Sequence, residues 1–257
     1  MSPILKGLCV RSVLSSASDY KPVHALQCRR VGELQPKNGN GLRHALYSEV
    51  ISLLESENRP EIIRFVRSKL DSGAVDIPTM YTELLAPSLN DMTCGNDPET
   101  CIWREHVRSS LVRAVIETSY ADVLAEAGRR VTTPTHDKAL VVCPTEEFHE
   151  IGARMAADFF TIAGYDVTFI GANTPCQVIR SAARQVRPKY LAISVTNNYN
   201  LFNARKVIAM VRSELGCDVI VVVGGSAFRR NPGSAKEVGA DMELHTFEEV
   251  LRLRERV

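Results

Sequence analysis

A short segment, residues 143–152, holds the side chains with the clearest capacity for chemistry. His149 follows Glu147 by two residues and precedes Gly152 by three. A neutral imidazole is a common metal ligand, and a nearby carboxylate can accept the proton of its other nitrogen and so set the tautomer. A glycine lets the backbone or a ligand come close. Alone the pattern is weak, because a single loop histidine is usually only a polar surface residue. Structural zinc is not indicated, since it takes four ligands and no paired Cys or His lies nearby.

The flanking segments predict that this loop lies at the edge of a sheet. Residues 139–142 form an apolar run typical of a buried strand, and residues 153–163 follow helical spacing. In an open α/β sheet such a loop lies at the carboxyl ends of the strands, where ligands bind. Strand-like and helix-like segments then alternate, which predicts a flavodoxin/Rossmann-like doubly wound parallel sheet. The further strands are predicted at 167–170, 190–195, 219–223 and 241–244, with helices from 175, at 202–215 and at 247–254.

The preceding part of the chain predicts a four-helix bundle. Apolar residues recur at helical spacing in four segments joined by short connections. The long fourth helix is expected to end near Gly128, with Trp103 and Val123 facing inward. The helices are expected to start near Leu42, Asn58, Asp76 and Asp97. We therefore predict a loosely ordered tail at 1–41, a helical-bundle cap domain at 42–128, a linker at 129–137 and an α/β domain at 138–257.

Three motifs that follow successive strands resemble the signature of cobalamin (vitamin B12)-binding domains, which reads Asp-x-His-x-x-Gly, Ser-x-Leu and Gly-Gly. The corresponding residues here are 147–152, 194–196 and 224–225, with Glu in place of Asp and Thr in place of Leu. The phrases His-Glu-Ile-Gly-Ala at 149–153 and Ile-Gly-Ala-Asn-Thr-Pro at 170–175 resemble the B12-dependent sensors, which carry Glu in the first motif. The related methyl-carrying corrinoid proteins usually have Asp there and Gly-Lys after the histidine.

The resemblance implies that the first motif binds the cobalt ion of the cofactor. His149 would displace the cofactor's own lower base and become the lower axial ligand, which is the base-off/His-on state. Glu147 would accept the other ring proton and tune the basicity of the ligand. Phe148, Ile151 and Gly152 would contact the cofactor beside them.

The other two motifs would hold the displaced nucleotide tail. The tail would thread into the sheet beside Ser194 and Thr196, whose hydroxyls can bond a buried base that has lost its water partners. Gly224 and Gly225 would leave room for the tail. Taken alone, Gly-Gly after a strand is more typical of a tight turn or of a phosphate-binding nest.

The predicted cap also carries candidate contacts for the upper side of the corrin. The B12-dependent sensors show a Trp, nine residues, and then Glu-His, and Glu105 and His106 match the end of this pattern. The Trp position falls on Gly95, however, and the only Trp of the chain is Trp103. The resemblance therefore implies an altered upper face. The plainer interpretation is a Trp in the bundle core beside two polar surface residues.

No motif for independent catalysis is present, so any chemistry is expected to come from the cofactor. We expect a B12-dependent sensor or regulator that acts through an unidentified protein partner, with adenosyl-, methyl- or hydroxocobalamin bound. The alternative is a corrinoid methyl carrier that serves separate methyltransferases. A third interpretation is a flavodoxin-like module that binds another ligand or only protein.

Composition bears on which classes of partner and which compartment are expected. The formal net charge of the 257 residues is +1, which gives no bulk attraction for nucleic acid, so no direct nucleic-acid contact is expected. No apolar run approaches the ~20 residues of a membrane helix. Seven scattered cysteines without a Cys-x-x-Cys pair are typical of free thiols in a reducing compartment, here the cytoplasm. The sequence leaves homo-oligomerisation open.

Overall fold

The computed structural model describes residues 40–256, apart from 93–96, 132, 134 and 217. The predicted tail, except for its last two residues, and Gly95 lie outside the described residues. The described chain begins with helices and continues with a parallel sheet whose strands alternate with helices.

The N-terminal helices, here called the helical cap, start where the sequence supplies caps. The Asn58 side chain accepts a hydrogen bond from the backbone of Glu61 (3.2 Å), and Asp76 does the same for Thr79 (2.9 Å). Such caps satisfy amides that have no partner within the helix. The cap comprises α1 (Asn40–Glu55), α2 (Arg59–Asp71), α3 (Ile77–Thr79), a π-helix (Met80–Leu85), α4 (Ala86–Asn90), α5 (Pro98–Thr118) and α6 (Tyr120–Arg130). The stretch from α3 to α4 is continuous and corresponds to the predicted third helix.

The predicted long fourth helix is wrong, because it is divided at Ser119 into α5 and α6. The Ser119 amide donates to the carbonyls of both Val115 and Ile116, each at 3.1 Å, and its hydroxyl donates to Val115 (2.9 Å). A serine side chain that bonds its own backbone competes with the regular helical pattern. The chain therefore turns at a residue that is neither Gly nor Pro.

The predicted inward orientation of Trp103 is also wrong. Trp103 is 46% exposed, and its neighbour Ile102 is 47% exposed. Helix α5 contacts the core only from Val107 onward, and its fully buried apolar residues begin at Leu111. The first turns of α5 thus lie outside the hydrophobic core formed by the described residues. Val123 is buried as predicted.

The sheet has five parallel strands in the order β2-β1-β3-β4-β5. This is the flavodoxin-like order, in which ligands bind where the order reverses, between β1 and β3. The predicted fold class is confirmed. The strands are β1 (Lys138–Pro144), β2 (Asp166–Thr174), β3 (Tyr190–Ser194), β4 (Ile220–Gly224) and β5 (Met242–Glu243). The helices among and after them are α7 (Ile151–Ile162), α8 (Cys176–Val186), α9 (Leu201–Leu215), α10 (Ser226–Arg230), α11 (Ser234–Val238) and α12 (Phe247–Arg252).

Successive strand residues belong to two hydrophobic cores. In β1, Val141 and Cys143 face one core, whereas Leu140 and Val142 face the other. The second core contains α8, α9 and α11. The first contains α7, α12 and the buried residues of the helical cap. The cap and the α7 face of the sheet therefore share one continuous core, which includes the Tyr81 and Phe159 rings with centroids 5.8 Å apart.

Polar contacts join the helical cap to α7 at the edge of this shared core. The Tyr81 hydroxyl donates to Asp158 Oδ2 (2.7 Å), and Arg154 of the same helix pairs with Asp158 and with Glu117 (3.0 Å) of α5. Burial raises the pKa of the Asp158 carboxyl, against the lowering effect of its hydrogen bonds and of Arg154. A buried carboxylate is tolerated when it is paired in this way.

Two further predictions concern cysteines and membranes. Cys143 and Cys176 are free thiols, whereas Cys101 is disulfide-bonded, which departs from the expectation of free thiols.

In the described part of the chain, no helix is both long and apolar enough to cross a membrane.

Candidate functional site

Hydrogen bonds of its backbone hold the loop between β1 and α7 to Asn173, near the end of β2. Glu146 has a positive φ of 67°, and its amide donates to Asn173 Oδ1 (2.9 Å). In return the Asn173 amide donates to the Glu147 carbonyl (2.8 Å). These bonds fix the turn that directs Glu147 into the protein and leaves His149 at the surface.

Glu147 is fully buried, and hydrogen bonds satisfy its charge. Its Oε1 accepts from the His149 amide (3.1 Å) and from His149 Nδ1 (2.6 Å). Its Oε2 accepts from the amides of Thr196 (2.9 Å) and Asn197 (3.0 Å) and from Asn200 Nδ2 (3.2 Å). Burial alone would raise the pKa of Glu147, but His149 and the other donors outweigh it and lower the pKa to about 2. Glu147 is therefore ionised, and it ties the β1–α7 loop to the segment after β3.

This ionised carboxylate determines the tautomer of His149. The hydrogen bond to Glu147 raises the pKa of His149, and burial opposes that effect. Because Glu147 can only accept, Nδ1 carries the proton, and the neutral ring presents its lone pair at Nε2. The side chain is 48% exposed, so a ligand can reach it from outside the sheet edge. The charges of Glu105 and Arg230 act on the ring with opposite signs.

A cavity of ≈ 380 Å³ opens at the same sheet edge. Ser194 lines its mouth, and Val141, Ala192 and Val222 line its depth. Strand pairing places Ser194 beside Gly224 and Ala192 beside Val222. The second pair therefore lies two residues, or about 7 Å, along the strands from the sheet edge. Residues of α7, α10, α12, the helical cap and the segment after β5 also line the wall.

The two motif glycines line this cavity and also allow the chain to pack on itself. A Cβ atom on Gly224 would lie 2.8 Å from the Leu244 carbonyl oxygen. Gly225 has a φ of +102°, and its Cβ would lie 2.3 Å from the Val195 carbonyl oxygen. Any side chain at these positions would displace backbone. The glycines thus shape the cavity mouth through close contacts within the protein.

The remaining predicted residues of the sheet edge lie in different surroundings. Gly152 lines the cavity, with open space where a Cβ would be, whereas Ile151 packs against the core at the start of α7. Phe148 is 67% exposed beside His149. Thr196 is not among the described residues that line the cavity; its amide binds Glu147, and its carbonyl accepts from Arg230 (2.6 Å). The predicted role of the Thr196 hydroxyl stays a prediction.

The predicted upper-face residues are only partly brought to the site. Glu105, His106 and Trp103 are all exposed on the first turns of α5, and the Arg104 guanidinium lies over the Trp103 ring at 5.6 Å. Of the three, Glu105 carries a negative charge that helps to raise the pKa of His149. The sequence reasoning missed Asn197 and Asn200, although a run of asparagines directly after a strand was a visible signal.

These features suit a metal that arrives with most of its own ligands. Among the described residues, no group of three or more His, Cys, Asp or Glu could hold a bare ion. His149 offers one exposed nitrogen, and a mostly apolar cavity opens at the same sheet edge. A corrin, which supplies four equatorial nitrogens to cobalt and carries a nucleotide tail, fits this combination.

Comparison with known proteins agrees with the geometry. Residues 137–252 match the family model of the B12 binding domain. The chain is 32% identical over 120 residues, 47% of its length, to the HTH-type transcriptional repressor CarA of Myxococcus xanthus. It is 27% identical over 187 residues, 71% of its length, to CarH of the same organism, also an HTH-type transcriptional repressor. It spans only 38% and 58% of these two relatives.

The fold has a counterpart among solved structures. The monomethylamine corrinoid protein of Methanosarcina barkeri superposes with a TM-score of 0.69 at 14% identity, covering 83% of this chain and 99% of that one. At this identity the likeness shows the shared fold, a helical cap followed by a Rossmann-like domain. The match to the family model of the B12 binding domain is confined to the α/β part of the chain, residues 137–252.

Proposed function

We propose that this protein binds cobalamin in the base-off/His-on state, with Nε2 of His149 as the lower axial ligand of cobalt. The observation that carries the proposal is the Glu147–His149 pair. It holds the proton on Nδ1 and leaves an unprotonated nitrogen at the surface. A partner on the other ring nitrogen orients a metal-binding imidazole and raises its basicity.

The cavity supports the second half of the proposal, the displaced nucleotide tail. Its depth is lined by aliphatic residues and by Phe159 and Phe160, which suits a flat aromatic base. The Ser194 hydroxyl lines the mouth with no hydrogen-bond partner in the described part of the chain, so it is available to a nitrogen of that base. Cobalamin bound in this way would supply the cobalt–carbon chemistry, and the residues of this chain would hold and orient it.

Electron paramagnetic resonance of the cob(II)alamin complex tests the ligand directly. We expect superhyperfine splitting from one axial nitrogen, and uniform nitrogen-15 labelling of the protein should change that splitting because the nitrogen belongs to His149. The unlabelled protein with the same cofactor is the control. A splitting that does not respond to labelling would show that the cofactor keeps its own base, and the His-on proposal would fail.

We further propose that the protein is a B12-dependent regulator that passes the state of its cofactor to a protein partner. Its relatives CarA and CarH are named as transcriptional repressors, and the chain retains the sensor-type Glu147. A ligand shifts a conformational equilibrium only through contacts that differ between the two states. A corrin held between the sheet edge and α5 would make such contacts on both sides, with Trp103, Glu105 and His106 as the candidates on the cap.

Comparison of cofactor states tests this role. We expect small-angle scattering and gel filtration to show a different shape or assembly for at least one of the adenosyl-, methyl- and hydroxocobalamin complexes relative to the apo protein. The expectation rests on the proposed location of the corrin, which would bring its upper side toward the helical cap. Identical behaviour of all four forms, with rapid methyl transfer to or from a separate methyltransferase, would instead establish the methyl carrier.

A further inference from the structure

The polar side chains that line the cavity are nearly all engaged within the protein. Seven residues with polar side chains contribute to its wall, and no carboxylate is among the described residues that do so. Five of the seven already have partners: Tyr81 donates to Asp158, Thr82 to the Pro78 carbonyl and Asn90 to the Ala86 carbonyl, Thr246 accepts from the Glu249 amide, and His245 pairs with Glu243. Ser194 and Arg229 remain.

Arg229 is the one charged side chain of this remaining pair. It lies on α10, four residues after Gly225, and it is exposed to solvent. Among the described residues its guanidinium takes part in no ion pair or hydrogen bond, whereas the adjacent Arg230 donates to the Thr196 carbonyl (2.6 Å). Within the part of the chain that the structure describes, an unpaired cation therefore borders a mostly apolar cavity whose wall includes no carboxylate.

We propose that Arg229 is a phosphate-binding residue that recognises the anionic phosphodiester in the nucleotide tail of the cofactor. The planar guanidinium donates two parallel hydrogen bonds to phosphate oxygens, and such charge-assisted bonds are stronger than neutral ones. The assignment rests on the proposed cobalamin function and adds a second polar anchor, separate from the His149 bond to cobalt.

Corrinoids that differ only in the tail provide the test. Cobinamide lacks the nucleotide, and cobinamide phosphate restores the phosphate without the base. Equilibrium dialysis, with the corrin absorbance as readout, should show that the wild-type protein prefers cobinamide phosphate by about tenfold, the lower range for a hydrogen bond to a charged group. Arg229→Gln should remove this preference and leave the affinity for cobinamide unchanged. Arg229→Lys should keep part of the preference, because lysine retains the positive charge but cannot donate the two parallel hydrogen bonds of a guanidinium.

The matched control is Arg205→Gln, which removes an exposed arginine from α9 on the opposite face of the sheet. It should retain the full preference. The inference is overturned if Arg229→Gln keeps the preference, if that variant weakens both ligands equally, or if the wild-type protein binds cobalamin without favouring the phosphate. If the wild-type protein binds none of the three corrinoids, the proposed function itself fails, and this inference with it.

Discussion

Replacing His149 with alanine is expected to weaken cobalamin binding by more than the roughly 10–100-fold typical of losing only a partner of a metal ligand. The substitution removes the one nitrogen that the loop presents, and the buried Glu147 loses one of its five hydrogen-bond donors. Any cobalamin that still binds should carry its own base or water below cobalt. Absorption and paramagnetic resonance spectra of the complex would report this change.

Two additional measurements make the His149→Ala result specific. Added imidazole should partly restore the nitrogen-ligated spectrum, because a free ring can occupy the space of the missing side chain. His44→Ala, which alters an exposed histidine of α1, should bind as the wild-type protein does. If His149→Ala binds with unchanged affinity and spectrum, His149 is an ordinary polar loop residue.

The second large effect is expected for Glu147→Gln, which keeps the size of the side chain but replaces one oxygen with an amide donor. Both carboxylate oxygens of Glu147 already accept hydrogen bonds from N–H groups. The new NH₂ group, itself a donor, would therefore face another donor, either His149 or the amides after β3. Each donor left unsatisfied in this buried position costs about 1–3 kcal/mol. We expect a lower free energy of unfolding in the apo protein and cobalamin affinity reduced by about 10–100-fold.

Glu146→Gln is the matched control, because that neighbouring side chain is exposed. Denaturant unfolding and cofactor titration of both variants would separate the loss of stability from the loss of affinity. Unchanged stability and affinity in Glu147→Gln would contradict the role assigned to the carboxylate. Glu147→Gln is expected to impair binding less than His149→Ala, since it leaves the ligating ring in place.

The sequence was sufficient to predict the fold wherever local pattern and tertiary packing agree. The apolar runs of β1 and β4 are buried on both faces and were recognisable as strands. The division at Ser119 was not, because it depends on a serine bonding its own helix instead of on Gly or Pro. The exposure of Trp103 could not be predicted either. Helical spacing shows which residues share a face of a helix, but not how far along that helix the neighbouring helices extend.

The candidate site shows the same division between local and distant information. The Glu147–His149 contact spans two residues, so spacing alone could suggest it. The bonds from Thr196 and Asn200 to Glu147 join segments about 50 residues apart, and only the sheet topology brings them together. The cavity contacts of Tyr81 and Arg229 likewise come from elements that the motifs do not include.

The core that the helical cap shares with the α7 face limits the kind of motion available to this protein. A hinge movement that lifted the cap would expose Tyr81, Phe159 and their neighbours to water, at about 25 cal/mol per Å² of apolar surface. Sliding of the packed helices by roughly 1–2 Å keeps that surface covered. A displacement of this size opens no new cleft. Any difference between cofactor states in scattering or gel filtration is therefore expected to come from a change in assembly, with a second copy or with a partner, and not from the cap lifting off the sheet.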